Sequence, residues 1–177
     1  MIDPHKEKYF PLYWEMAFAA ARQSIATRHQ VGAVVVTPTG MISPGWNGMP
    51  AGLPNECESF QIYDPALRGM RLKSNPEVIH AERNAIDKMT RQGIPTAGSL
   101  LFVTRSPCFE CSKALHGLGL KAIYFDELHD ETTGLDLLER IGTPVYKRDG
   151  LRPLNDFSQE EASHATDLPH TTDPAGV

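Results

Sequence analysis

Apolar residues recur at two different spacings in the first part of the chain. Between residues 9 and 27 they return at roughly helical intervals in an alanine-rich segment, which predicts an amphipathic helix. The expected buried side of this helix consists of Leu12, Met16, Ala19, Ala20 and Ile25. Residues 31–36 are a β-branched run that stops at a Thr-Pro-Thr-Gly turn, and residues 41–46 resume an extended pattern. These two runs predict a β-hairpin.

Turn-forming residues dominate the segment that follows this hairpin. Residues 47–54 alternate Gly, Pro and Asn with other residues, so we expect a shaped loop instead of a helix or strand. Residues 55–77 are mixed and polar with several aromatic side chains. We interpret them as an insertion of loops with one short helix around residues 65–72.

In the second half of the chain, continuous apolar runs alternate with helical patterns. The apolar runs predict buried strands at residues 99–104, 122–125 and 145–147. The helical patterns predict helices at residues 80–91, 107–116 and 135–141. Gly93 and Pro95 end the first of these helices, while Ser106 is the expected cap of the second, whose first residue is Pro107. The alternation predicts an α/β fold with a sheet covered on both faces.

Length and charge narrow the class of protein. A chain of 177 residues fits one domain, which we expect at residues 1–152, and the polar, aperiodic residues 153–177 predict a disordered tail. The net charge of −5, without a dense run of Lys or Arg, argues against nucleic-acid binding and favours a small ligand. Without a signal sequence or an apolar run of about 18 residues, we expect a cytoplasmic protein with no membrane contact.

Two cysteines, a histidine and a glutamate have the spacing of a catalytic zinc site. Cys108 and Cys111 are three apart at a predicted helix start, so their sulfurs share one face and can hold one cation. The helix N-terminus also favours the thiolate forms. His80 stands at the start of another predicted helix. Glu82 leaves that helix in nearly the opposite direction, so we expect it to miss the metal and to act as general base from the open side.

Each of these features also has a simpler interpretation. A Cys-x-x-Cys pair alone is often a redox pair or a structural clip, and three cysteines are too few for a disulfide framework. The proline before Cys108 and the His-x-Glu pattern upstream favour the zinc interpretation. Asn47 is by default a turn former and Arg28 a surface cation.

The His-Ala-Glu run at residues 80–82 and the Pro-Cys-Phe-Glu-Cys run at residues 107–111 resemble the signature of the zinc nucleobase deaminases. Within that superfamily, residues 9–148 are most similar to deoxycytidylate deaminases. The similar blocks, in the same order, are residues 31–36, 45–52, 80–86 and 106–113. The resemblance implies a three-layer α/β/α cytidine-deaminase-like fold with a central mixed sheet of about five strands. It also implies one catalytic Zn²⁺ with the ligands His80, Cys108 and Cys111.

The resemblance implies a reaction and roles for individual residues. The reaction is the hydrolytic deamination of dCMP to dUMP and ammonia, in which a zinc-activated water attacks C4 of cytosine. Glu82 moves a proton to N3 and then to the leaving amine. Asn47 holds the deoxyribose hydroxyl, and the backbone near Ala81 and Ser106 meets the edge of the base.

Regulated deoxycytidylate deaminases are hexamers that bind dCTP as activator and dTTP as inhibitor, with Mg²⁺, beside a glycine-rich loop. In this chain the corresponding loop contains Gly45, Trp46, Asn47 and Gly48, with Trp46 where Tyr is usual. The resemblance therefore implies a homo-oligomer with a candidate allosteric loop. It leaves open whether this chain is regulated.

The chain departs from the family at a second metal site. Some members hold a structural zinc through an early Cys, a Cys after the glycine-rich loop and added histidines. Here the early position is Ala26, and residues 55–78 contain Cys57 but no His. We therefore predict no second zinc.

A further departure concerns the phosphate end of the substrate. After the predicted strand at residues 122–125, many members carry a Tyr that contacts the substrate phosphate, but this chain reads Glu-Leu-His-Asp at residues 127–130. We expect Arg28, Arg105 or His129 to contact the phosphate instead. Because the part of the site that contacts the phosphate differs from the family pattern, dCTP or a 5-substituted deoxycytidine nucleotide stays open as the substrate. An inactive nucleotide-binding regulator is the alternative of another class, and the intact Glu82 argues against it.

Overall fold

A five-stranded mixed sheet forms the centre of the structure. The computed structural model describes residues 2–65 and 68–149, so the predicted tail lies outside the described residues. The described strands are β1 Gly32–Val36, β2 Ile42–Trp46, β3 Phe60–Asp64, β4 Gly69–Lys73, β5 Leu100–Arg105, β6 Ala122–Glu127 and β7 Val145–Lys147. The central sheet has the order β2-β1-β5-β6-β7. Its β1 strand is antiparallel to β2 and β5, whereas β5, β6 and β7 run parallel. The fold predicted from the motifs is confirmed.

Helices cover both faces of this sheet. They are α1 Phe10–Ala21, α2 Ala81–Arg91, α3 Phe109–His116 and α4 Thr133–Arg140, with a short 3-10 turn at Glu7–Tyr9 before α1. α1 packs on β1, β2 and β5. α2 packs on β1 and β2 from the opposite side, while α3 packs on α4. None of the helices in the described ranges is long and apolar enough to cross a membrane.

The central strands bury side chains on both faces, which explains their continuous apolar sequences. In β1, Val34 and Val36 pack in the cluster with α1, whereas Ala33 and Val35 join the cluster with α2 and α4. All four side chains are fully buried. Burying one side chain of this size stabilises the fold by roughly 1.5–3 kcal/mol, so the two layers hold the sheet without help from the site.

The buried face of α1 matches the predicted one only in part. Ala20 is buried and Met16 packs against the core as predicted, but Leu12 is 54% exposed and Ile25, which lies beyond the helix end at Ala21, is 46% exposed. The buried side chains are those of Phe10, Tyr13, Trp14, Ala17, Ala20 and Ala21. Aromatic side chains bury more area than Leu or Ala, and the three rings of this aromatic stripe pack around Phe102 with centroids 5.0–5.4 Å away.

The insertion after the glycine-rich loop is also different from the prediction. The short helix expected at residues 65–72 is wrong, because β3 and β4 pair there as an antiparallel hairpin. The sequence of β3, Phe-Gln-Ile-Tyr-Asp, contains the β-branched and aromatic residues that favour a strand. The end of β4 and the residue after it place Lys73 and Ser74 beside the cavity described below.

Candidate active site

His80, Cys108 and Cys111 come together where the starts of α2 and α3 meet. His80 is the residue before α2 and Cys108 the residue before α3. The His80 Nδ1 atom lies 3.4 Å from Cys108 Sγ and 3.3 Å from Cys111 Sγ. Within the described ranges this is the one group of three metal-type donors found, and its donor atoms lie within 4.8 Å of one another.

The protonation of this group fits a bound cation. Hydrogen bonds from Cys111 and His80 hold the pKa of the Cys108 thiol at about 3, although burial opposes the shift. The hydrogen bond to Cys108, together with burial and the negative charge of Glu82, raises the pKa of the Cys111 thiol. A divalent metal binds thiolates and displaces their protons, so both sulfurs can act as ligands. One nitrogen and two sulfurs are the donors that zinc prefers.

Glu82 lies in the first turn of α2, outside the ligand group but in the same cavity. Its side chain is buried, and it lines the cavity together with His80, Ala81 and Cys108. Burial raises the pKa of the Glu82 carboxyl, because the charged form loses water. A buried carboxylate beside an open metal position is suited to proton transfer.

The cavity has a volume of about 250 Å³ and joins two chemically different ends. His80, Cys108 and Glu82 form the deep end, and Cys111 lies behind it against His80. The mouth carries charged and polar groups, which are Arg28, His29, Lys73, Arg105, His129, Asp130 and Glu131. Asn47 and Ser106 also line it, so the structure brings together all the predicted substrate contacts.

Asn47 is fixed by hydrogen bonds to the loop before β1. Its Oδ1 atom accepts a hydrogen bond from the Val31 amide at 2.8 Å, and its Nδ2 atom donates to the His29 carbonyl at 2.9 Å. The loop that carries Arg28 and His29 is thereby held at the cavity. Sequence reasoning gave Asn47 a substrate role and missed this anchoring role.

Ser106 does not cap α3, which corrects the prediction. The helix begins at Phe109, and the residue before it, Cys108, makes no side-chain cap. The Ser106 hydroxyl instead accepts a hydrogen bond from the His129 amide at 2.8 Å. Ser106 therefore joins the end of β5 to the corner after β6. The helix start predicted at Pro107 is two residues early, because the backbone of Cys108 is extended (φ −69°, ψ 170°) and is not part of the helix.

Arg105 is surrounded by polar partners at the mouth of the cavity. Its Nη2 atom donates to Asp130 Oδ1 at 2.6 Å, and its Nη1 atom lies 3.3 Å from His29 Nδ1. Because a guanidinium can only donate, Nδ1 of His29 is the acceptor. Burial and the charge of Arg105 lower the pKa of His29, which favours its neutral form. Arg28 lies 3.6 Å from the same Asp130 carboxylate.

His29, Lys73 and Asp130 were not predicted as cavity residues. His29 follows Arg28 directly and precedes the buried strand β1, which was the one signal that could have identified it. Lys73 arrives through the hairpin that sequence reasoning mistook for a helix. Asp130 lies in the corner after β6. The sequence analysis recognised that this corner departs from the family pattern, but it did not predict the ion pairs of Asp130.

The candidate allosteric loop makes packing contacts on the side of α2. A methyl group added at Gly45 would overlap the Ala81 carbonyl oxygen, so glycine lets α2 approach β2. The Trp46 ring lies 4.2 Å from Lys88 Nζ. Gly48 pairs with Ile79 through the backbone. Among the described residues that line the cavity, only Asn47 comes from this loop.

The two positions associated with a second zinc, Ala26 and Cys57, lie in neighbouring segments. The group of three metal-type donors found among the described residues does not include them. Glu58, next to Cys57, accepts hydrogen bonds from Thr27, next to Ala26, at 2.9 Å. Burial raises the pKa of the Cys57 thiol. One metal per chain stays a prediction.

The mixed sheet and the three-donor group beside a buried carboxylate define an α/β protein with a zinc site of the catalytic class, in which three protein ligands leave a fourth position open. The family model for the "cytidine and deoxycytidylate deaminase zinc-binding region" matches residues 9–127. The chain belongs to this family. The predicted zinc cofactor and family membership are thus confirmed.

Two relatives and one solved structure illustrate the similarity. The dCMP deaminase of cyanophage S-TIM5, solved in complex with dCMP and dUMP, is 35% identical with a TM-score of 0.68, covering 80% of this chain and 98% of that chain. The deoxycytidylate deaminase of Mycobacterium phage D29 is 32% identical, over 71% of this chain and 97% of that protein. The ComE operon protein 2 of Bacillus subtilis is 31% identical, over 75% of this chain and 69% of that protein.

Proposed function

We propose that this protein catalyses the hydrolytic deamination of dCMP to dUMP and ammonia. The observation that carries the proposal is one cavity lined by His80, Cys108 and Glu82 at one end and by two arginines at its mouth, with Cys111 beside His80 and Cys108 as the third donor. A cytosine ring fits the chemistry of the deep end, and a phosphate fits the charge of Arg28 and Arg105. The similarity to the S-TIM5 enzyme, whose complex contains dCMP and dUMP, supports the same substrate.

Glu82 is the proton carrier in this mechanism. His80, Cys108 and Cys111 would hold the zinc ion, which would supply Lewis-acid activation of a water molecule. Glu82 accepts a proton from that water and delivers it to N3 of cytosine as the oxygen adds to C4. It then carries the second proton to the amino group, so that ammonia leaves and the C4 carbonyl of uracil forms.

The walls of the cavity orient the nucleotide. The backbone at Ala81 and Ser106 meets the polar edge of the base, while the buried Ala81 methyl group excludes water. Asn47 uses one acceptor site and one amide hydrogen for the loop before β1, which leaves one of each for the deoxyribose hydroxyl. Arg28, Arg105 and His129 contact the phosphate from the mouth.

A substrate series tests the proposal. Ammonia release is measured for the zinc-loaded protein with cytidine, dCMP, dCTP and 5-methyl-dCMP. The proposal expects the highest kcat/KM with dCMP. A higher kcat/KM with dCTP or 5-methyl-dCMP would show that the protein is a deaminase whose preferred substrate is that nucleotide. No release from any of the four at full zinc occupancy would overturn the enzyme interpretation in favour of a nucleotide-binding regulator.

Regulation and assembly form the finer part of the proposal. The resemblance supports a cytoplasmic homo-hexamer that dCTP activates and dTTP inhibits with Mg²⁺. The candidate effector loop is Gly45, Trp46, Asn47 and Gly48, and Gly45 lies against Ala81, the residue before Glu82. The test is dCMP turnover with each triphosphate, with and without Mg²⁺, alongside light scattering for the molar mass. Unchanged turnover in every combination would contradict regulation.

A further inference from the structure

The carboxylate of Asp130 lies between the cationic groups at the mouth of the cavity. Its Oδ1 atom is 2.6 Å from Arg105 Nη2, and its Oδ2 atom is 3.6 Å from Arg28 Nη2. The Nε2 atom of His29 is 4.0 Å from Oδ2. Arg28 and Arg105 are two of the groups expected to contact a substrate phosphate, and together with His29 they already surround an anion that belongs to the protein itself.

The two sides of this cluster differ in exposure. The Arg105 side chain is 11% exposed, and Asp130 is 54% exposed. Arg105 also has a buried Nε atom that no hydrogen-bond acceptor in the described chain satisfies. A short, half-exposed carboxylate can rotate into water at little cost, whereas a buried guanidinium held by His29 stays in place. When an anion enters, Asp130 is therefore the partner that leaves.

A phosphate dianion cannot share these arginines with Asp130 without repulsion. At a separation of a few ångströms and intermediate polarity, two like charges repel with a substantial energy. The other charged groups facing the mouth are Glu127, 4.0 Å from Arg105, and the cavity-lining Lys73 and Glu131. Lys73 is the one cationic side chain of the mouth that is not part of the Asp130 cluster.

We infer that Asp130 occupies the position of the substrate phosphate and must be displaced by it, so that this residue limits how much affinity the phosphate contributes. This inference rests on the proposed function. A nucleoside without phosphate leaves the Asp130 ion pairs intact, and a nucleotide exchanges them for its own. The cluster therefore keeps both arginines positioned in the free enzyme, and it reduces the net affinity gained from the phosphate.

Product binding tests the inference without requiring turnover. Calorimetry measures the Kd of dUMP and of deoxyuridine with the zinc-loaded wild type and the Asp130→Asn variant. Asn keeps the size of the side chain but not its charge, so dUMP should bind roughly tenfold more tightly to the variant. Deoxyuridine, which has no phosphate, should change by less than about twofold. In steady state the gain should appear as a lower KM for dCMP.

The matched control is Glu131→Gln, which removes a neighbouring carboxylate that also lines the cavity but forms no ion pair in the described chain. Its effect on dUMP should be much smaller than that of Asp130→Asn. If both variants lower the Kd of dUMP equally, the cause is the general loss of negative charge at the mouth, and the inference is overturned. Unchanged or weaker dUMP binding by Asp130→Asn would also overturn it, because Asp130 would then orient the arginines for the phosphate.

The outcomes separate this inference from the proposed function. Turnover of dCMP by the wild type with no gain in Asp130→Asn overturns the inference alone. If neither protein binds dUMP and the wild type deaminates none of the four substrates, both are overturned. If only the Asp130→Asn variant binds dUMP, the inference is supported, because the Asp130 carboxylate then prevents the phosphate from binding.

Discussion

Glu82 is the residue whose position is hardest to explain by stability alone. It is almost fully buried in the first turn of α2, where desolvation of a carboxylate costs free energy, and acidic groups in such positions are concentrated at functional sites. We expect Glu82→Gln to lower kcat for dCMP by about 10²–10⁴-fold, because the amide cannot carry the proton. Mass spectrometry of the metal content should still give one zinc per chain.

Glu110→Gln is the matched control for this substitution. Glu110 is an exposed acid on α3 that pairs with Lys113 at 2.8 Å, so its loss should leave turnover near the wild-type value. Retained activity in Glu82→Gln would mean that another group is the base.

Asn47 combines an anchoring role with the proposed sugar contact. Asn47→Ala removes both hydrogen bonds to the loop before β1 and leaves the Val31 amide and the His29 carbonyl unpaired. The free energy of unfolding should fall by about 1–3 kcal/mol, measured by urea denaturation. The exposed Asn55→Ala is the control and should change it by less than about 0.5 kcal/mol. An unaltered stability in Asn47→Ala would restrict Asn47 to the substrate.

The residues of the site differ in how well the sequence predicts them. His80, Cys108 and Cys111 follow from spacing, since each lies at a helix start and the chemistry of the donors is specific. The ion pairs of Asp130 do not follow, because they join segments that are 25 and 102 residues apart. Such contacts depend on the packing of the whole fold, and no local pattern encodes them.

At the scale of elements, α4 supports the start of α3. Gly134 lies at the beginning of α4, where an added methyl group would be 2.7 Å from the Cys108 carbonyl carbon and 2.8 Å from Ser112 Oγ. Both are shorter than a normal contact, and the methyl group would also overlap the Pro107 oxygen. Glycine at this position therefore allows α4 to hold the turn that carries Cys108.

Gly134→Ala should accordingly damage the metal site from a distance. α4 must shift, which should lower the free energy of unfolding by about 1–3 kcal/mol and weaken zinc retention against a chelator. The control is Gly117→Ala at the end of α3, where an added methyl group meets nothing within 4 Å. If Gly134→Ala retains zinc as firmly as the control, the contact is not needed for the site.

The accuracy of the element predictions follows the strength of the sequence pattern. β1, β5 and β6 are buried on both faces, so their continuous apolar runs identify them. The pattern of α1 was ambiguous because apolar residues occur nearly all round the helix, and the aromatic stripe decided which face is buried. The hairpin of β3 and β4 was missed because its strands are short and lie in a segment of mixed composition between loops, although β3 contains residues that favour a strand.

At the scale of the whole molecule, the metal site lies outside the two apolar layers that stabilise the sheet. The buried clusters on the two faces contain none of the three ligands. The ligands instead connect α2 with α3, and α3 with its partner α4 packs beside the sheet. A metal there acts as a link between elements that already have their own packing.

Removal of zinc should therefore loosen the molecule without unfolding it. We expect a chelator to lower Tm by several degrees, since a ligand that binds only the folded state stabilises it by mass action. The far-UV circular dichroism at 25 °C should stay close to that of the loaded protein, because the apolar layers remain. A His80→Ala variant supplies the control: its Tm should be low from the outset and insensitive to the chelator. Complete loss of helical signal on chelation would show that the fold depends on the metal, contrary to the independence of the two apolar layers.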